Sequence, residues 1–379
     1  MPAHILVISN PTSGDGSGPV FVKEHVFPAL IGLEYEVQET TQPGSAGTLA
    51  ASFVQKHLDS AAQIALIISG GDGTIHEVVN GIGAPSRSIH LVICPQGTAN
   101  ALFSSLFPSP SSIGTIDPRL LSLQAFLENR TKPLNITRTQ IFSDDGQLSE
   151  SLLGVVVAST ALHASILDTA EHLRQTIPGL DRFKVAAMEN ISRWYRSNGA
   201  LLTQTDRGAK LYNPATNDFR TLSEKDSAIE GPFAYFISTV NVDRLEPTFN
   251  ISPVFARQPP EAGEMDLIVV RPLRQPGASS DSDSQDVREA FSQVLIRVLQ
   301  AAYAEGSHVS LKYGISSVGP DEDGPYVVEC LRSNGWTWTP NSNDPKEHLV
   351  CVDGTILHIP PGGSAHCQVL MERDYFVCA

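Results

Sequence analysis

Three short, almost continuous apolar runs stand out in the first 95 residues of the chain. They are residues 4–9, 64–69 and 89–94. Such runs are typical of strands buried on both faces of a parallel sheet. Apolar residues at helical spacing lie between them, over 18–30, 47–58 and 74–82. The alternation of strand and helix predicts an α/β domain of the Rossmann-like, three-layer kind.

From about residue 134 the pattern changes to shorter segments, in which turn residues separate the apolar runs. The predicted strands are 136–143, 151–159, 232–242, 265–271, 309–318, 326–332 and 349–359. Two predicted helices, 181–197 and 286–304, interrupt them, and the small acidic residues of 275–285 predict a mobile loop. The sequence therefore predicts an α/β domain over 1–133 and an antiparallel β-sandwich domain over 134–379.

Length and charge narrow the class of protein. A chain of 379 residues exceeds one ordinary core, in agreement with two domains. A net charge of −15 disfavours a nucleic-acid partner, so an anionic ligand must be held by local groups. Five cysteines without a C-x-x-C pair and an N-terminus without a signal peptide indicate a cytoplasmic protein. No apolar run reaches the length of a membrane-spanning helix.

A glycine-rich turn follows each of the three strands predicted in the first domain. These turns are 10–18 (NPTSGDGSG), 69–74 (SGGDGT) and 95–100 (PQGTAN). Glycine permits close approach of the backbone to a phosphate, whose oxygens can accept backbone N–H groups. The carboxyl ends of parallel strands share one edge of a sheet, so the three turns are expected to converge there. Each turn on its own has a purely structural interpretation as well.

A carboxylate, Asp72, stands among the glycines of the second turn. Close to a phosphate, such a residue indicates either an Mg²⁺ ligand or a base that accepts the proton of an attacking hydroxyl. The alternative is a helix N-cap, because a helix is predicted from Thr74. The sequence leaves these interpretations open.

The motifs, in this order and spacing, resemble the diacylglycerol kinase catalytic domain superfamily. The residues that carry the resemblance are Asn10-Pro11-x-Ser13-Gly14, Gly70-Gly71-Asp72-Gly73-Thr74, His76-Glu77-Val78-Val79-Asn80-Gly81 and Asn100-Ala101-Leu102. The last two look most similar to the sphingosine and ceramide kinase branch. Weaker matches in the second half are Arg174, Gly179, Arg182-Phe183, Gly263-Glu264-Met265-Asp266 and Val352-Asp353-Gly354.

This resemblance implies a lipid kinase that uses ATP and Mg²⁺, with its active site between a nucleotide domain and a lipid-binding sandwich. Asp72 is implied as the catalytic residue, with Mg²⁺ near it. The implied nucleotide-binding residues are Asn10, Ser13, Gly14, Thr40, Thr41, Ser69, Gly70, Gly71, Gly73, Thr74, Glu77, Gly97, Thr98, Asn100, Arg174, Arg182 and Asp353. The implied acceptor is a sphingoid base, ahead of a ceramide or diacylglycerol, reached through transient contact with a membrane surface.

The chain departs from the family pattern at three places. Asp15 and Ser17 stand where relatives often carry a basic residue, and Thr355 stands where the family has the glutamate of Asp-Gly-Glu. The family's Gly-Phe-x-Ala-Asp segment is replaced around residues 158–168, where His163, Ser165 and Asp168 are the candidate lipid contacts.

Two alternatives stay open, the first of them because of these departures. One is a catalytically impaired relative that binds nucleotide or lipid as a sensor or scaffold. The other is an NAD kinase, because NAD kinases share the Gly-Gly-Asp-Gly-Thr turn. Outside the motifs, Trp336 and Trp338 with their alternating threonines predict an exposed hairpin.

Overall fold

The computed structural model describes residues 3–108, 117–177, 179, 181–203, 207–279, 283–314 and 317–379. Residues 280–282 of the predicted mobile loop lie outside the described part of the chain. The described residues form an α/β lobe and a lobe of two packed antiparallel sheets. This arrangement is the predicted fold class.

The first lobe is a single sheet with helices on both faces. Its strands are β1 (Ala3–Ser9), β2 (Tyr35–Glu39), β3 (Gln63–Gly70), β4 (Ile89–Pro95), β5 (Lys132–Pro133) and β22 (Tyr375–Val377), in the order β2-β1-β3-β4-β22-β5. Its helices are α1 (Gly18–Phe21), α2 (Phe27–Ala29), α3 (Ser45–Lys56), α4 (Asp72–Ile82), α5 (Ala101–Leu106) and α6 (Leu121–Leu127). A π-helical turn, Val22–Val26, joins α1 to α2, and a 3₁₀ turn, Pro118–Leu120, precedes α6.

Three of the parallel strands, β1, β3 and β4, bury both of their faces, as the continuous apolar runs predicted, whereas the edge strand β2 is largely exposed. Leu6 and Ile8 of β1 share a core with residues of α3, α4 and α5. Ile5 and Val7, which point to the opposite face, share a second core with residues of α1 and α6. The first lobe therefore has three layers.

The second lobe consists of two antiparallel sheets and a short two-stranded ladder. Its strands are β6 (Thr137–Phe142), β7 (Leu148–Gly154), β8 (Val157–Thr160), β9 (Ser197–Leu202), β10 (Lys210–Asn213), β11 (Asp218–Thr221), β12 (Ala228–Glu230), β13 (Tyr235–Thr239), β14 (Met265–Val270), β15 (Lys312–Tyr313), β16 (Val318–Gly319), β17 (Glu329–Ser333), β18 (Gly335–Pro340), β19 (Leu349–Val352), β20 (Thr355–His358) and β21 (Ser364–Val369). The sheets are ordered β11-β10-β17-β14-β13-β8-β19-β20 and β12-β9-β18-β21-β6-β7, and β15 pairs with β16.

Two tryptophans hold the sheets of the sandwich face to face. The rings of Trp336 and Trp338 on β18 lie 5.2 and 5.3 Å from the ring of Phe236 on β13. Trp336 Nε1 also donates to Ser238 Oγ at 2.9 Å. Both tryptophans are 0 % exposed, so the predicted exposed hairpin is wrong. Alternate residues of β18 face the partner sheet, and the tryptophans occupy those positions.

Helices cover parts of the second lobe. They are α7 (Ala161–His172), α8 (Asp181–Asn190), α9 (Pro253–Arg257) and α10 (Gln285–Tyr303), with 3₁₀ turns at Leu173–Gln175, Glu224–Ser227, Pro272–Arg274, Ser307–Ser310 and Pro345–His348. The helix predicted over 286–304 is confirmed by α10. The helix predicted over 181–197 ends at Asn190, because Trp194 and Tyr195 are buried and the chain then enters β9.

The last strand belongs to the first lobe, so the predicted boundary at residue 133 does not divide the two lobes. Tyr375 of β22 pairs in register with Ile89 of β4, and its hydroxyl donates to the carbonyl of Gly83 at 2.7 Å. Ser122 Oγ of α6 donates to the carbonyl of Cys378 at 2.7 Å.

No helix in the described ranges is long and apolar enough to cross a membrane.

Candidate functional site

The three glycine turns meet at the carboxyl edge of the parallel strands. A Cβ atom on Gly97 would lie 2.5 Å from the Cα atom of Gly71, and one on Gly14 would lie 2.2 Å from the carbonyl oxygen of Gln96. Gly14 also has a φ of +58°. The backbone N–H of Gln96 donates to the carbonyl of Gly70 at 2.9 Å. Only glycine allows backbones to pack this closely, so these residues form one continuous surface.

Asn10 ties the first turn to the second. Its Nδ2 donates to Thr74 Oγ1 at 3.0 Å, while its Oδ1 accepts both the backbone N–H and the hydroxyl of Thr12. Thr40 and Thr41 follow β2 at the same edge, the former buried and the latter exposed. The predicted members of this edge are therefore gathered in one region.

An open, polar surface borders this region. A Cβ on Gly73 would meet nothing within 4 Å, and Thr98 is exposed. Because α4 begins at Asp72, the N–H groups of Asp72 and Gly73 have no helical acceptor and form the positive end of the helix, whereas that of Thr74 donates to the carbonyl of Gly71. Ser69 Oγ is buried and has no hydrogen-bond partner in the described structure. A phosphate group fits such a surface.

The carboxylate of Asp72 lies against the start of α5. Its Oδ2 accepts the N–H of Ala101 at 2.7 Å, and its Oδ1 accepts the N–H of Leu102 at 3.1 Å. Burial raises the pKa of Asp72 to about 6, the two backbone N–H groups oppose this rise, and the charge of Asp353 adds to it. Asp72 therefore binds the N-terminus of α5, and the cap of its own helix is not its role.

Asp353 is a buried anchor of the second lobe. Its side chain is 0 % exposed, and its carboxylate accepts the N–H groups of Val155, Val156 and Val157 at 2.7, 2.9 and 2.8 Å. His76 Nδ1 lies 3.3 Å from the same carboxylate. We therefore correct the assignment of Asp353 to the nucleotide site, because its oxygens hold the second lobe together and are closed to solvent.

Two polar residues of α4 that the sequence interpretation did not select join the lobes. They are His76 and Asn80, which stand one helical turn apart. His76 Nε2 lies 3.3 Å from Thr355 Oγ1, and Asn80 binds both backbone groups of Leu153. The signal available in the sequence was their i, i+4 spacing on a helix whose other face is apolar.

Two predicted nucleotide ligands, Glu77 and Asn100, make hydrogen bonds to the backbone near the glycine turns. Glu77 Oε2 accepts the N–H of Ala46 at 3.3 Å, near the start of α3. Asn100 closes the third turn, because its Oδ1 accepts the N–H of Gly97 at 2.8 Å and its Nδ2 donates to the carbonyl of the same residue at 2.7 Å. Both side chains shape the edge where the glycine turns meet.

Two predicted phosphate ligands, Arg174 and Arg182, are not brought to the glycine turns by any hydrogen bond of the described residues. Arg174 Nη1 pairs with Glu171 Oε1 at 3.1 Å, and Arg182 Nη1 donates to the carbonyl of Gly179 at 2.6 Å. Glu171 lies in the last turn of α7, and Gly179 lies in the segment that joins α7 to α8. The contact of these arginines with phosphate therefore stays a prediction.

The candidate lipid contacts lie on α7 in three different environments. His163 Nδ1 lies 2.7 Å from Ser159 Oγ, and burial lowers the pKa of His163 to about 4. Ser165 is buried, and its hydroxyl has no hydrogen-bond partner among the described residues. Asp168 pairs with Lys346 Nζ at 2.7 Å. A carboxylate that already has this partner is not a free ligand for a lipid head group.

The described residues do not fit a metal ion held by the protein alone. They contain no group of three or more His, Cys, Asp or Glu side chains placed to hold one. Both Asp72 oxygens already accept backbone N–H groups. The described side chains alone therefore do not complete a metal site, and Mg²⁺ near Asp72 stays a prediction.

Comparison with known proteins relates the first lobe to kinases. The family described as "Diacylglycerol kinase catalytic domain" matches residues 4–139. A diacylglycerol kinase of Staphylococcus epidermidis is 36% identical over 113 residues, which are 29% of this chain and 34% of that protein. Sphingoid long-chain bases kinase 1 of Arabidopsis thaliana is 42% identical over 106 residues, 26% of this chain and 13% of that protein. Sphingosine kinase 1 of Homo sapiens is 33% identical over 110 residues, 28% of each chain.

These matches span about a third or less of each relative's length. The likeness of fold extends further. A Bacillus anthracis protein, solved as a candidate diacylglycerol kinase, covers 99% of this chain with 96% of its own, at a TM-score of 0.54 and 14% identity. Both lobes therefore share the fold of that protein.

Proposed function

We propose that this protein is an ATP-dependent lipid kinase, because residues 4–139 match the diacylglycerol kinase catalytic domain family. The observation that carries the proposal is the meeting of three glycine turns beside Asp72. Phosphoryl transfer requires mainly positioning and stabilisation of charge, for which backbone N–H groups and one carboxylate are suitable. The edge of the first sheet offers these groups.

The phosphates are assigned to the open surface around Gly73. The N-terminus of α4 attracts negative charge, and the unpartnered Ser69 hydroxyl offers a donor. Mg²⁺ accompanies ATP as part of the substrate complex, where it neutralises phosphate charge. Asp72 accepts only two N–H groups, so its carboxylate retains capacity for a third donor, the acceptor hydroxyl.

We assign a sphingoid base as the first candidate acceptor. The support is the resemblance of residues 76–81 and 100–102 to the sphingosine and ceramide kinase branch, together with the 42% identity to the plant sphingoid base kinase. A ceramide and a diacylglycerol are the next candidates. The second lobe is assigned to present the lipid, and transient contact with a membrane surface delivers it.

The test is transfer of labelled phosphate from Mg·ATP by the purified protein to a panel of sphingosine, ceramide, diacylglycerol and NAD⁺. We expect transfer to the sphingoid base, lowered at least about a hundredfold by Asp72→Asn and unchanged by Asp59→Asn at an exposed aspartate. Transfer to NAD⁺ alone would assign an NAD kinase.

The departure at Thr355 favours a second candidate, a relative that binds ATP without turnover. Thermal stabilisation by ATP in the absence of transfer to every acceptor would support that function. Absence of both transfer and ATP-dependent stabilisation would reject the two candidates together.

A further inference from the structure

Three side chains form a line from the surface into the interior at the contact between the lobes. Thr355 is exposed, His76 is 6 % exposed, and the Asp353 side chain is 0 % exposed. Thr355 Oγ1 lies 3.3 Å from His76 Nε2, and His76 Nδ1 lies 3.3 Å from Asp353 Oδ2. A hydroxyl, an imidazole and a carboxylate thus follow one another as in a nucleophilic triad.

The surroundings of Asp353 fix which ring nitrogen of His76 carries a proton. A carboxylate that accepts three backbone N–H groups acts as an acceptor toward the imidazole as well. Nδ1 must therefore donate, and Nε2 is the nitrogen that meets the Thr355 hydroxyl. Asn80 Nδ2 lies 3.3 and 3.4 Å from the ring nitrogens, but its two N–H groups have closer acceptors in the carbonyls of His76 and Leu153.

Asp72 stands one helical turn before His76, the middle member of this line. Asp72 and His76 stand at i and i+4 on α4, where side chains are neighbours about 5–6 Å apart between Cβ atoms. Asp72 itself holds the start of α5 through both oxygens. A proton released beside Asp72 thus has a second destination one helical turn away.

We propose that Thr355, His76 and Asp353 form a proton relay for the acceptor hydroxyl, an inference that rests on the proposed function. As the acceptor oxygen bonds to the γ-phosphorus of ATP, the bond from that phosphorus to the bridging oxygen breaks, and its electron pair leaves with ADP. The hydroxyl proton passes first to Asp72, then from that carboxylate to Thr355 Oγ1, while the Thr355 proton passes to His76 Nε2. Asp353 stabilises the resulting imidazolium, which later releases its proton to solvent.

The kinetic test uses variants at the exposed Thr355, where a fold defect is least expected. Thr355→Val removes the hydroxyl at nearly constant shape and is expected to lower kcat about tenfold to a hundredfold, with KM for ATP unchanged. Thr355→Ser is expected to stay within about threefold of the wild type. Thr339→Val, at an exposed threonine of β18, is the matched control. Wild-type kcat in Thr355→Val, or an equal loss in Thr355→Ser, would overturn the relay.

A second variant tests whether the hydroxyl and the imidazole act together. His76→Gln retains hydrogen bonding but cannot take up a proton, so its kcat should fall as far as that of Thr355→Val. The double variant should fall no further than either single variant, because one pathway is lost only once. Multiplied losses in the double variant would show independent roles and overturn the relay.

Nitrogen NMR of the imidazole of His76 separates the relay from the kinase assignment. Three results would support the relay. Nδ1 carries a proton, Nε2 carries none at neutral pH, and the Nε2 signal changes in Thr355→Val. A proton on Nε2 in the resting protein would overturn it, since that nitrogen could then accept nothing. Failure of the wild type to phosphorylate any acceptor would reject the proposed function, while these spectra would still decide the arrangement of the three groups.

Discussion

Asn80 binds both backbone groups of Leu153, donating through Nδ2 to the carbonyl at 2.8 Å and accepting the N–H at Oδ1 at 2.9 Å. Leu153 lies on β7, which is the edge strand of its sheet. One amide side chain of the first lobe thus satisfies the backbone N–H and C=O groups of a sheet edge, where a further strand could otherwise pair. The same helix carries Asp72, so the contact also fixes the position of the candidate base relative to the second lobe.

Replacing Asn80 is expected to weaken the whole fold. Asn80→Ala removes the two hydrogen bonds to the backbone of Leu153 and the one to the carbonyl of His76, so the free energy of unfolding should fall by about 2–3 kcal/mol. Urea unfolding measures this change. Gln55→Ala, at an exposed position of α3, is the control and should change stability by less than about 0.5 kcal/mol. Equal stability of the two variants would show that the Asn80 contact contributes nothing.

Two glycines of the site should respond in opposite ways to a methyl group. At Gly97 a Cβ would lie 2.5 Å from the Cα atom of Gly71, so Gly97→Ala should cost about 1–3 kcal/mol of stability. At Gly73 a Cβ meets nothing, and Gly73→Ala should stabilise α4 by up to about 1 kcal/mol.

ATP binding distinguishes these two substitutions further. Gly73→Ala places a methyl group in the space assigned to the phosphates, so calorimetry should show weaker ATP binding despite the gain in stability. Unchanged affinity in this variant would place the phosphates elsewhere.

The stability of the protein should depend on pH through Asp72. Its pKa is about 6 in the folded protein against an ordinary 3.8, so the native state holds the proton more tightly. The contribution to stability is complete below pH 4, is lost as pH rises through 6, and amounts to roughly 2–3 kcal/mol. Urea unfolding of wild type and Asp72→Asn between pH 4 and 7 measures it. Parallel curves for the two proteins would refute the raised pKa.

Arg87 holds together the segment that follows α3. Its guanidinium donates to four backbone carbonyls, those of His57, Leu58, Ser60 and Ala62. An ammonium cannot reproduce this planar fork, so Arg87→Lys should lower the free energy of unfolding by about 1–3 kcal/mol. Arg220→Lys, at an exposed arginine, should leave the urea midpoint unchanged. A midpoint equal to wild type in Arg87→Lys would contradict the assignment.

The first lobe could be predicted because its strands β1, β3 and β4 are buried on both faces. Residues 4–9, 64–69 and 89–94 became β1, β3 and β4 with ends shifted by at most one residue. The second lobe was harder, since a distant residue decides where its strands end. The sequence predicts one strand over 151–159. In the structure, the carboxylate of Asp353 accepts the N–H groups of residues 155–157, so these groups cannot pair with a neighbouring strand and the segment divides into β7 and β8.

The sequence also predicted the glycine turns of the site better than it predicted the polar contacts of the site. Strand order alone requires that turns at neighbouring carboxyl ends meet, whatever the side chains between them. The partners of His76 lie some 280 residues further along the chain, as the separations of 277 and 279 residues to Asp353 and Thr355 show. Local spacing carries no information about such partners.

The place of β22 between β4 and β5 also governs the order in which the molecule can be completed. During synthesis the ribosome releases the glycine turns early, yet the sheet beneath them lacks one of its inner strands until residues 375–377 emerge. A fragment ending at residue 133 would expose the bare flank of β4. The first lobe and the sandwich are therefore expected to mature as a single cooperative unit, with the edge that carries the glycine turns finished last.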